Sequence, residues 1–132
     1  MLSESSTYAT LLPVRNMDRA IKFYTETLGG KLLSRADGDM KDFWASIKVS
    51  KSEFWLISPP EKEKRTLAYS AFIVKDIRAA VADLKGKGIK FQKAEKNSKE
   101  TKIEGPIMFD TIGAVAFFKD TEGNVLMLFQ GV

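Results

Sequence analysis

The chain has 132 residues, of which 21 are lysine or arginine and 17 are aspartate or glutamate, and it contains neither cysteine nor histidine. This length is typical of one compact domain that buries roughly two-thirds of its unfolded surface. The lack of cysteine excludes disulfides, thiolate zinc sites and cysteine nucleophiles. The lack of histidine removes the commonest transition-metal ligand and the general base of a Ser-His-Asp triad.

The start of the chain and its apolar runs predict a soluble, cytoplasmic protein. The first six residues include an acid and no apolar stretch of the length that a secretory signal needs. The longest apolar runs, 114–118 and 125–129, are far shorter than the roughly 20 residues that span a bilayer. We therefore expect no membrane partner.

An internal repeat organises the sequence. Residues 12–21 are similar to residues 72–81 at a constant offset of 60. Each copy has a strand-like run, then Asn16 or Asp76 as a helix N-cap, then apolar residues at the i, i+3, i+4, i+7 spacing of a helix that lies on a sheet. Glycines are expected to end both helices, at positions 29 and 88.

Three strand-like stretches follow each helix, so each copy is predicted to be a β-α-β-β-β module. The stretches are 31–36, 43–49 and 53–58 in the first copy, and 89–93, 114–119 and 125–130 in the second, with 106–109 leading into the middle one. Within one domain of residues 1–132, the modules span about 7–58 and about 67–131, and a charged, proline-containing linker spans 59–66. The extra residues 93–104 of the second copy are predicted to be a surface loop.

Two motifs carry a resemblance to a known family. The chain opens with Leu12-Pro13-Val14-Arg15-Asn16-Met17, followed by Phe23-Tyr24, and closes with Asp120-Thr121-Glu122-Gly123-Asn124. With the repeat, these motifs resemble the vicinal oxygen chelate superfamily, which includes glyoxalase I, extradiol dioxygenases, fosfomycin resistance enzymes and bleomycin resistance proteins. The closing motif departs from the family's hairpin in having Thr121 where proline is usual. The resemblance implies an α+β fold in which tandem βαβββ modules form a cup-shaped mixed sheet.

The resemblance also indicates where a metal ion would be held. Metal-dependent members carry ligands on the concave face, on the first and last strands of each module. In this sequence those positions fall on Ala9, Trp55, Tyr69 and Met127. None of these is a usual ligand of Mg, Mn or Fe, because such ions prefer carboxylate, imidazole, carbonyl and water donors. We therefore expect neither a metal nor another cofactor.

Strand alternation predicts apolar side chains on both faces of the sheet. One face should pack beneath the helices through Leu12, Val14, Phe54, Leu56, Phe72, Val74, Leu126 and Leu128. The opposite face is filled by its own side chains, closed by a second subunit, or used to bind an apolar ligand. The predicted ligand-binding residues on that face are Ala9, Leu11, Glu53, Trp55, Tyr69, Met127 and Phe129.

Two functions are developed here, and a third, a structural or regulatory interaction module, is supported only by the lysine-rich segment and would show itself as salt-sensitive DNA binding. The favoured one is a metal-independent homodimer that binds a small apolar or aromatic molecule. The alternative is a lyase, isomerase or oxygenase of the glyoxalase or dioxygenase type, which uses a divalent metal, or Tyr69 or Glu53 as an acid or base. Glu53 is better explained as a strand-end charge that pairs with solvent or with the neighbouring Lys51.

Two charged segments are assigned structural roles. Lysines recur at every third position from 87 to 102, but three glutamates lie among or beside them and Phe91 is the one aromatic residue there, which favours a solvated loop and no nucleic-acid partner. Asp37, Asp39 and Asp42 lack the spacing of a calcium loop, so they are predicted to form a hairpin tip.

Overall fold

The computed structural model describes residues 3, 10–58, 69–96 and 99–132. The chain divides into two compact units, residues 1–66 and 67–132. The linker predicted at 59–66 and the predicted site residue Ala9 lie outside the described residues, and of Tyr69 the backbone alone is described.

The first unit has a four-stranded mixed sheet in the order β1-β4-β3-β2. β1 runs parallel to β4, whereas the other neighbouring pairs are antiparallel. Helix α1 continues directly into a π-helical turn and contacts β3 and β4. The elements are β1 (Leu11–Pro13), α1 (Met17–Lys22), the π-helical turn (Phe23–Thr27), β2 (Lys31–Arg35), β3 (Trp44–Val49) and β4 (Ser52–Ile57).

The second unit has a five-stranded mixed sheet in the order β5-β9-β8-β7-β6, with β5 and β9 parallel and the rest antiparallel. Helix α2 contacts β8 and β9. In the described part of the chain, neither helix has the length and hydropathy needed to cross a bilayer. The elements are β5 (Tyr69–Ile73), α2 (Ile77–Gly86), β6 (Lys102–Glu104), β7 (Ile107–Phe109), β8 (Gly113–Lys119) and β9 (Val125–Gly131).

Both predicted helix caps are confirmed. The side-chain oxygen of Asn16 accepts a hydrogen bond from the Arg19 amide at 3.0 Å, and that of Asp76 accepts one from the Ala79 amide at 3.1 Å. Each bond satisfies an amide that has no partner within its helix. Gly29, which follows the first helix and its π-helical turn, has a φ of 73°, a backbone angle that residues with a Cβ atom rarely adopt.

The core of each unit lies between its helix and its sheet. Tyr24 is fully buried and packs edge-to-face on Phe54, with 5.1 Å between ring centroids. The predicted helix-facing side chains are buried, except for Phe72 and Val74, which are half-buried. The buried ones are Leu12, Val14, Phe54, Leu56, Leu126 and Leu128.

The predicted strand at 89–93 is wrong. Phe91 forms one isolated bridge with Phe118, and the Gln92 amide donates to the Phe117 carbonyl at 2.8 Å. β8 lies between β9 and β7, and β7 occupies the edge of β8 at its first residues. Residues 89–93 therefore meet β8 near its C-terminal end, at Phe117 and Phe118, and form no ladder of paired residues there.

The predicted surface loop at 93–104 is also wrong in part. Residues 102–104 form β6, which pairs in an antiparallel ladder with β7 from Lys102↔Phe109 to Glu104↔Ile107. Gly105, with a φ of 59°, makes the tight turn between the two strands. The insertion thus adds an outer strand to the sheet.

The two predicted hairpin connections are confirmed. A short 3₁₀ turn, Gly38–Met40, lies in the connection from β2 to β3 and includes Asp39. The motif from Asp120 to Asn124 joins β8 to β9.

Candidate functional site

Each sheet has a face that points away from its own helix, which we call its open face. Side chains in register on neighbouring strands share a face, so the pairing defines rows across it. On the first sheet, one row is Leu11, Trp55, Ser46 and Ser34, from β1 to β2. The predicted site residues Leu11 and Trp55 therefore lie side by side, and they are 43% and 38% exposed.

A pair of tryptophans dominates this open face. The rings of Trp44 and Trp55 meet edge-to-face, with centroids 5.6 Å apart and planes at 78°. They are the two tryptophans of the chain. Trp44 was missed in the sequence analysis, although its alternation with the buried Ala45 and Ile47 was sufficient to place it on this face. The pair offers an aromatic surface suited to stacking.

Glu53 lies at the charged end of the same face. It is exposed, and it pairs in register with Lys48 on β3. Lys48 in turn pairs in register with Lys31 on β2. Opposite charges at facing positions stabilise a strand pair modestly. Glu53 is therefore a solvent-exposed strand-end charge whose cross-strand neighbour is Lys48 rather than the sequence neighbour Lys51.

The open face of the second sheet is apolar over two rows. The first row crosses all five strands, through Ile73, Phe129, Val115, Met108 and Ile103. The second row crosses three strands, through Ala71, Met127 and Phe117. The predicted site residues Met127 and Phe129 thus occupy adjacent rows, and both are half-buried.

Several members of these rows were missed in the sequence analysis. Phe117 and Val115 alternate with the buried Ala114 and Ala116 along β8, so the signal was present in the sequence. Met108 carried no such signal, because its face depends on the pairing of a three-residue strand.

A hydrogen-bonded turn fixes the register of β8 and β9, and so the positions of Phe117 and Met127. The buried carboxylate of Asp120 accepts bonds from the amides of Glu122 and Asn124 through Oδ1, and from the Asn124 side-chain Nδ2 through Oδ2, each at 2.8 Å. The Asp120 amide also donates to the Asn124 carbonyl at 2.9 Å. Gly123 has a φ of 87°, which completes the turn.

At the positions where the resemblance would place metal ligands, the described side chains do not suit a hard cation. Trp55 supplies an indole N–H, which cannot accept a bond, and Met127 supplies a soft thioether. Across residues 10–58, 69–96 and 99–132, no three acidic side chains group as metal ligands would.

Comparison with a protein-family model shows which family the chain belongs to. The model described as the Glyoxalase/Bleomycin resistance protein/Dioxygenase superfamily matches residues 8–128. The chain belongs to this superfamily. The resemblance inferred from the repeat and the two motifs is confirmed, and so is the predicted α+β fold, since both units have the helix-on-mixed-sheet arrangement.

Solved structures share this fold at low sequence identity. TnmS3, an antibiotic binding protein from Streptomyces sp. CB03234, is 22% identical with a TM-score of 0.70, over 98% of this chain and 100% of that one. UcmS2 is 23% identical with a TM-score of 0.68, over 96% and 98%. The genomically encoded fosfomycin resistance protein FosX from Listeria monocytogenes is 12% identical with a TM-score of 0.66, over 100% and 96%. No curated protein matches the chain.

Proposed function

We propose that this protein binds a small apolar or aromatic molecule, without a metal ion, at the open faces of its sheets. The observation that carries the proposal is the partial exposure of large apolar side chains there, above all Trp55 beside Leu11. Full burial of a fully exposed side chain of this size is worth roughly 1.5–3 kcal/mol, so covering one that is about 40% exposed recovers on the order of 1 kcal/mol. That TnmS3 is an antibiotic binding protein supports this function by analogy of fold.

The donor chemistry supports the proposal of metal independence. A divalent ion would need hard oxygen or nitrogen ligands where this chain has Trp55 and Met127. We expect ligand affinity to be unchanged after exhaustive treatment with EDTA, measured by isothermal titration calorimetry. Stoichiometric Ni, Zn, Mn or Fe in protein purified without chelator would contradict this part of the proposal.

The binding test uses the aromatic surface directly. Titration with 1-anilinonaphthalene-8-sulfonate should give saturable heat and should change the intrinsic fluorescence of Trp44 and Trp55, because both tryptophans lie on one open face. Trp55→Ala should weaken binding by about tenfold or more, as truncation of a central aromatic anchor commonly does. Met40→Ala is the matched control, since Met40 is 51% exposed but lies in the β2–β3 connection.

Two results would contradict the binding function. The first is the absence of saturable binding by any aromatic probe. The second is a dissociation constant that Trp55→Ala and Met40→Ala change equally, since that would mean that the probe adsorbs without a site.

An enzymatic function is the second candidate. Glu53 lies two residues from Trp55 on the same open face, so a carboxylate is available beside the aromatic surface, and Tyr69 was the other predicted acid or base. A lyase, isomerase or dioxygenase of the superfamily would show lactoylglutathione-forming or ring-cleaving turnover that Glu53→Gln reduces. If the protein binds the probe but shows no turnover, the enzymatic function is contradicted and the binding function stands.

A homodimeric state is part of the same proposal. The support is the apolar open face of the second sheet, where Ile73 is 74% exposed. Sedimentation equilibrium at micromolar concentration should give twice the chain mass, and a monomer at all concentrations would contradict it. The cytoplasmic location and the lack of a nucleic-acid partner stay predictions.

A further inference from the structure

A buried serine on the open face of the first sheet has a hydroxyl with no partner among the described residues. Ser46 lies in the middle of β3 and is 7% exposed. Its hydroxyl makes no hydrogen bond to any residue of 10–58, 69–96 and 99–132. Buried polar side chains are normally hydrogen-bonded, as Asp120 and Asn124 are to each other in this protein. Ser46 therefore departs from the rule.

The hydroxyl of Ser46 is still within reach of a molecule that arrives from solvent. In the described part of the chain, no fully enclosed side-chain nitrogen or oxygen atom lacks a hydrogen-bond partner. The unpartnered Ser46 oxygen is therefore not fully enclosed. Since the side chain lies on the open face, that is the side from which a partner can reach it.

Ser46 is also adjacent to both tryptophans. It pairs in register with Trp55 on β4, and it follows Trp44 by two residues along β3, so the three side chains share one face. The two indole rings meet edge-to-face with 5.6 Å between their centroids. A molecule that stacks on this aromatic pair is therefore close enough for one of its polar groups to reach the Ser46 hydroxyl.

A second hydroxyl faces the first one. Ser34 on β2 pairs in register with Ser46, is exposed, and makes no hydrogen bond to a described residue either. Facing residues have their Cβ atoms about 4.5–5.5 Å apart, so one ligand oxygen between the two side chains can bond to both hydroxyls. Because a hydroxyl both donates and accepts, the pair suits a phenolic hydroxyl as well as a ring carbonyl.

The charges on this face favour a neutral oxygen over a carboxylate. The next row of the same face is two residues further along β3, which is about 7 Å at the usual rise, and it holds Lys48, Lys31 and Glu53. Lys48 in that row already faces Glu53. A carboxylate at Ser46 would thus leave water without a cation in contact, which costs far more than the same transfer of a neutral group.

A ligand that covers the tryptophans determines whether the Ser46 hydroxyl keeps a partner. While the face is uncovered, solvent can serve the hydroxyl. An apolar ligand would exclude that solvent and leave the hydroxyl unsatisfied, which weakens binding. A ligand with an oxygen at this position replaces the lost bond. Sites with such a polar group discriminate against analogues that cannot bond to it.

We propose that the first sheet binds an aromatic molecule on Trp44 and Trp55 and selects, through Ser46, for a neutral hydroxyl or ring carbonyl on that molecule. Ser34 is the second hydrogen-bonding partner of the same oxygen. This inference rests on the proposed binding function and gives it a ligand class. Ser46 is the residue that determines specificity within that class.

The test compares 2-naphthol with 2-methylnaphthalene, which has nearly the same shape and no oxygen. Isothermal titration calorimetry, with the protein injected into dilute ligand, gives the dissociation constant of each. The measured quantity is the ratio of the constant for 2-methylnaphthalene to that for 2-naphthol, in which the contribution of the shared ring system cancels. Ser46→Ala should lower this ratio about threefold to tenfold, the usual net effect of one hydrogen bond. Ser34→Ala should lower it less, because water replaces a bond to an exposed hydroxyl more easily.

Ser52→Ala is the matched control for the loss of a serine hydroxyl. Ser52 lies on β4 and pairs with Val49, and alternation places it on the face opposite to Trp55. The ratio should be the same in this variant as in the unmodified protein. A ratio lowered equally by Ser52→Ala and Ser46→Ala would overturn the assignment.

Thermal unfolding distinguishes a ligand-binding hydroxyl from a structural one. Ser46→Ala should leave the thermal midpoint unchanged or raise it, because it removes a buried hydroxyl that bonds to no described residue. A fall of more than about 4 °C would show that the hydroxyl stabilises the fold, and would overturn its assignment to the ligand.

Failure of this inference and failure of the proposed function give different results. If both naphthalenes bind and Ser46→Ala leaves the ratio unchanged, selection by Ser46 is overturned and the binding function stands. The same holds if 1-anilinonaphthalene-8-sulfonate binds but neither of the other two ligands does. If none of the three binds, both the inference and the proposed function are overturned.

Discussion

Asp120→Ala tests whether the β8–β9 turn is held by its carboxylate. The substitution removes the acceptor for the amides of Glu122 and Asn124 and for the Asn124 side chain. Asp120 is 6% exposed, so water does not readily replace it. An unsatisfied buried donor costs about 1–3 kcal/mol, and two such amides give a loss of about 2–6 kcal/mol in the free energy of unfolding.

Urea denaturation followed by circular dichroism measures this loss. With a slope of about 2 kcal/mol per molar urea, the midpoint should fall by about 1–3 M. Asp120→Asn keeps the Oδ1 acceptor but brings an amide nitrogen toward Asn124 Nδ2, so its loss should be intermediate. Asp76→Ala is the control, since it removes one exposed cap bond at 3.1 Å and should cost about 1 kcal/mol. A midpoint for Asp120→Ala no lower than that for Asp76→Ala would refute this account of the turn.

Three further variants test local packing and charge. Gly30→Ala should destabilise by about 2 kcal/mol or more, because a Cβ atom there would lie 2.6 Å from the Tyr24 carbonyl oxygen and 2.9 Å from that of Lys48, neither of which can move freely; an unchanged thermal midpoint would contradict this. Gly86→Ala, in open space at the end of α2, should instead raise the thermal midpoint through a gain of up to about 1 kcal/mol, and a loss would show a contact that the structure lacks. Asp42→Asn breaks the 2.9 Å ion pair with Arg35 but should cost less than about 1 kcal/mol in urea denaturation, because the Asp42 side chain is 66% exposed; a loss above about 2 kcal/mol would mean that the pair organises the hairpin.

Hydrogen bonds between residues close in the sequence made the helix caps and the Asp120 turn predictable. Asn16 and Asp76 cap the helices with bonds to amides three residues away, so no distant contact is needed to place them. The same holds for the Asp120 turn, whose bonds join residues at most four positions apart. These caps and this turn depend on contacts within a few residues, so the sequence was sufficient to predict them.

Competition between distant segments for the edge of the same strand could not be predicted from the sequence. Residues 89–93 alternate as a strand does, but β7 holds the edge of β8 at Ala114 and Val115, and Phe91 is left with a single bridge. The Gly105-Pro106 pair, a typical turn signal between short runs, was the one indication of the β6–β7 hairpin. The π-helical turn, in which the adjacent Phe23 and Tyr24 are both buried, gave no signal in the sequence.

For the candidate site, the sequence predicted the sheet face on which each residue lies, but not which residues line up in a row across the sheet. Period-two alternation placed Leu11, Trp55, Met127 and Phe129 on the strand faces that the structure turns away from the helices. Which of them continue into a row across the sheet depends on register, which is a property of paired strands. The sequence therefore could not predict the apolar row that reaches Met108.

Two of the outer strands, β2 in the first sheet and β6 in the second, have a consequence for how the protein behaves when concentrated. β2 has an irregular register between Leu32 and Ser34, and β6 presents Lys102 and Glu104 on three exposed residues. Bulges, charges and short length at a sheet margin prevent another chain from adding itself there. Strand addition and fibril growth at these two margins are thereby disfavoured.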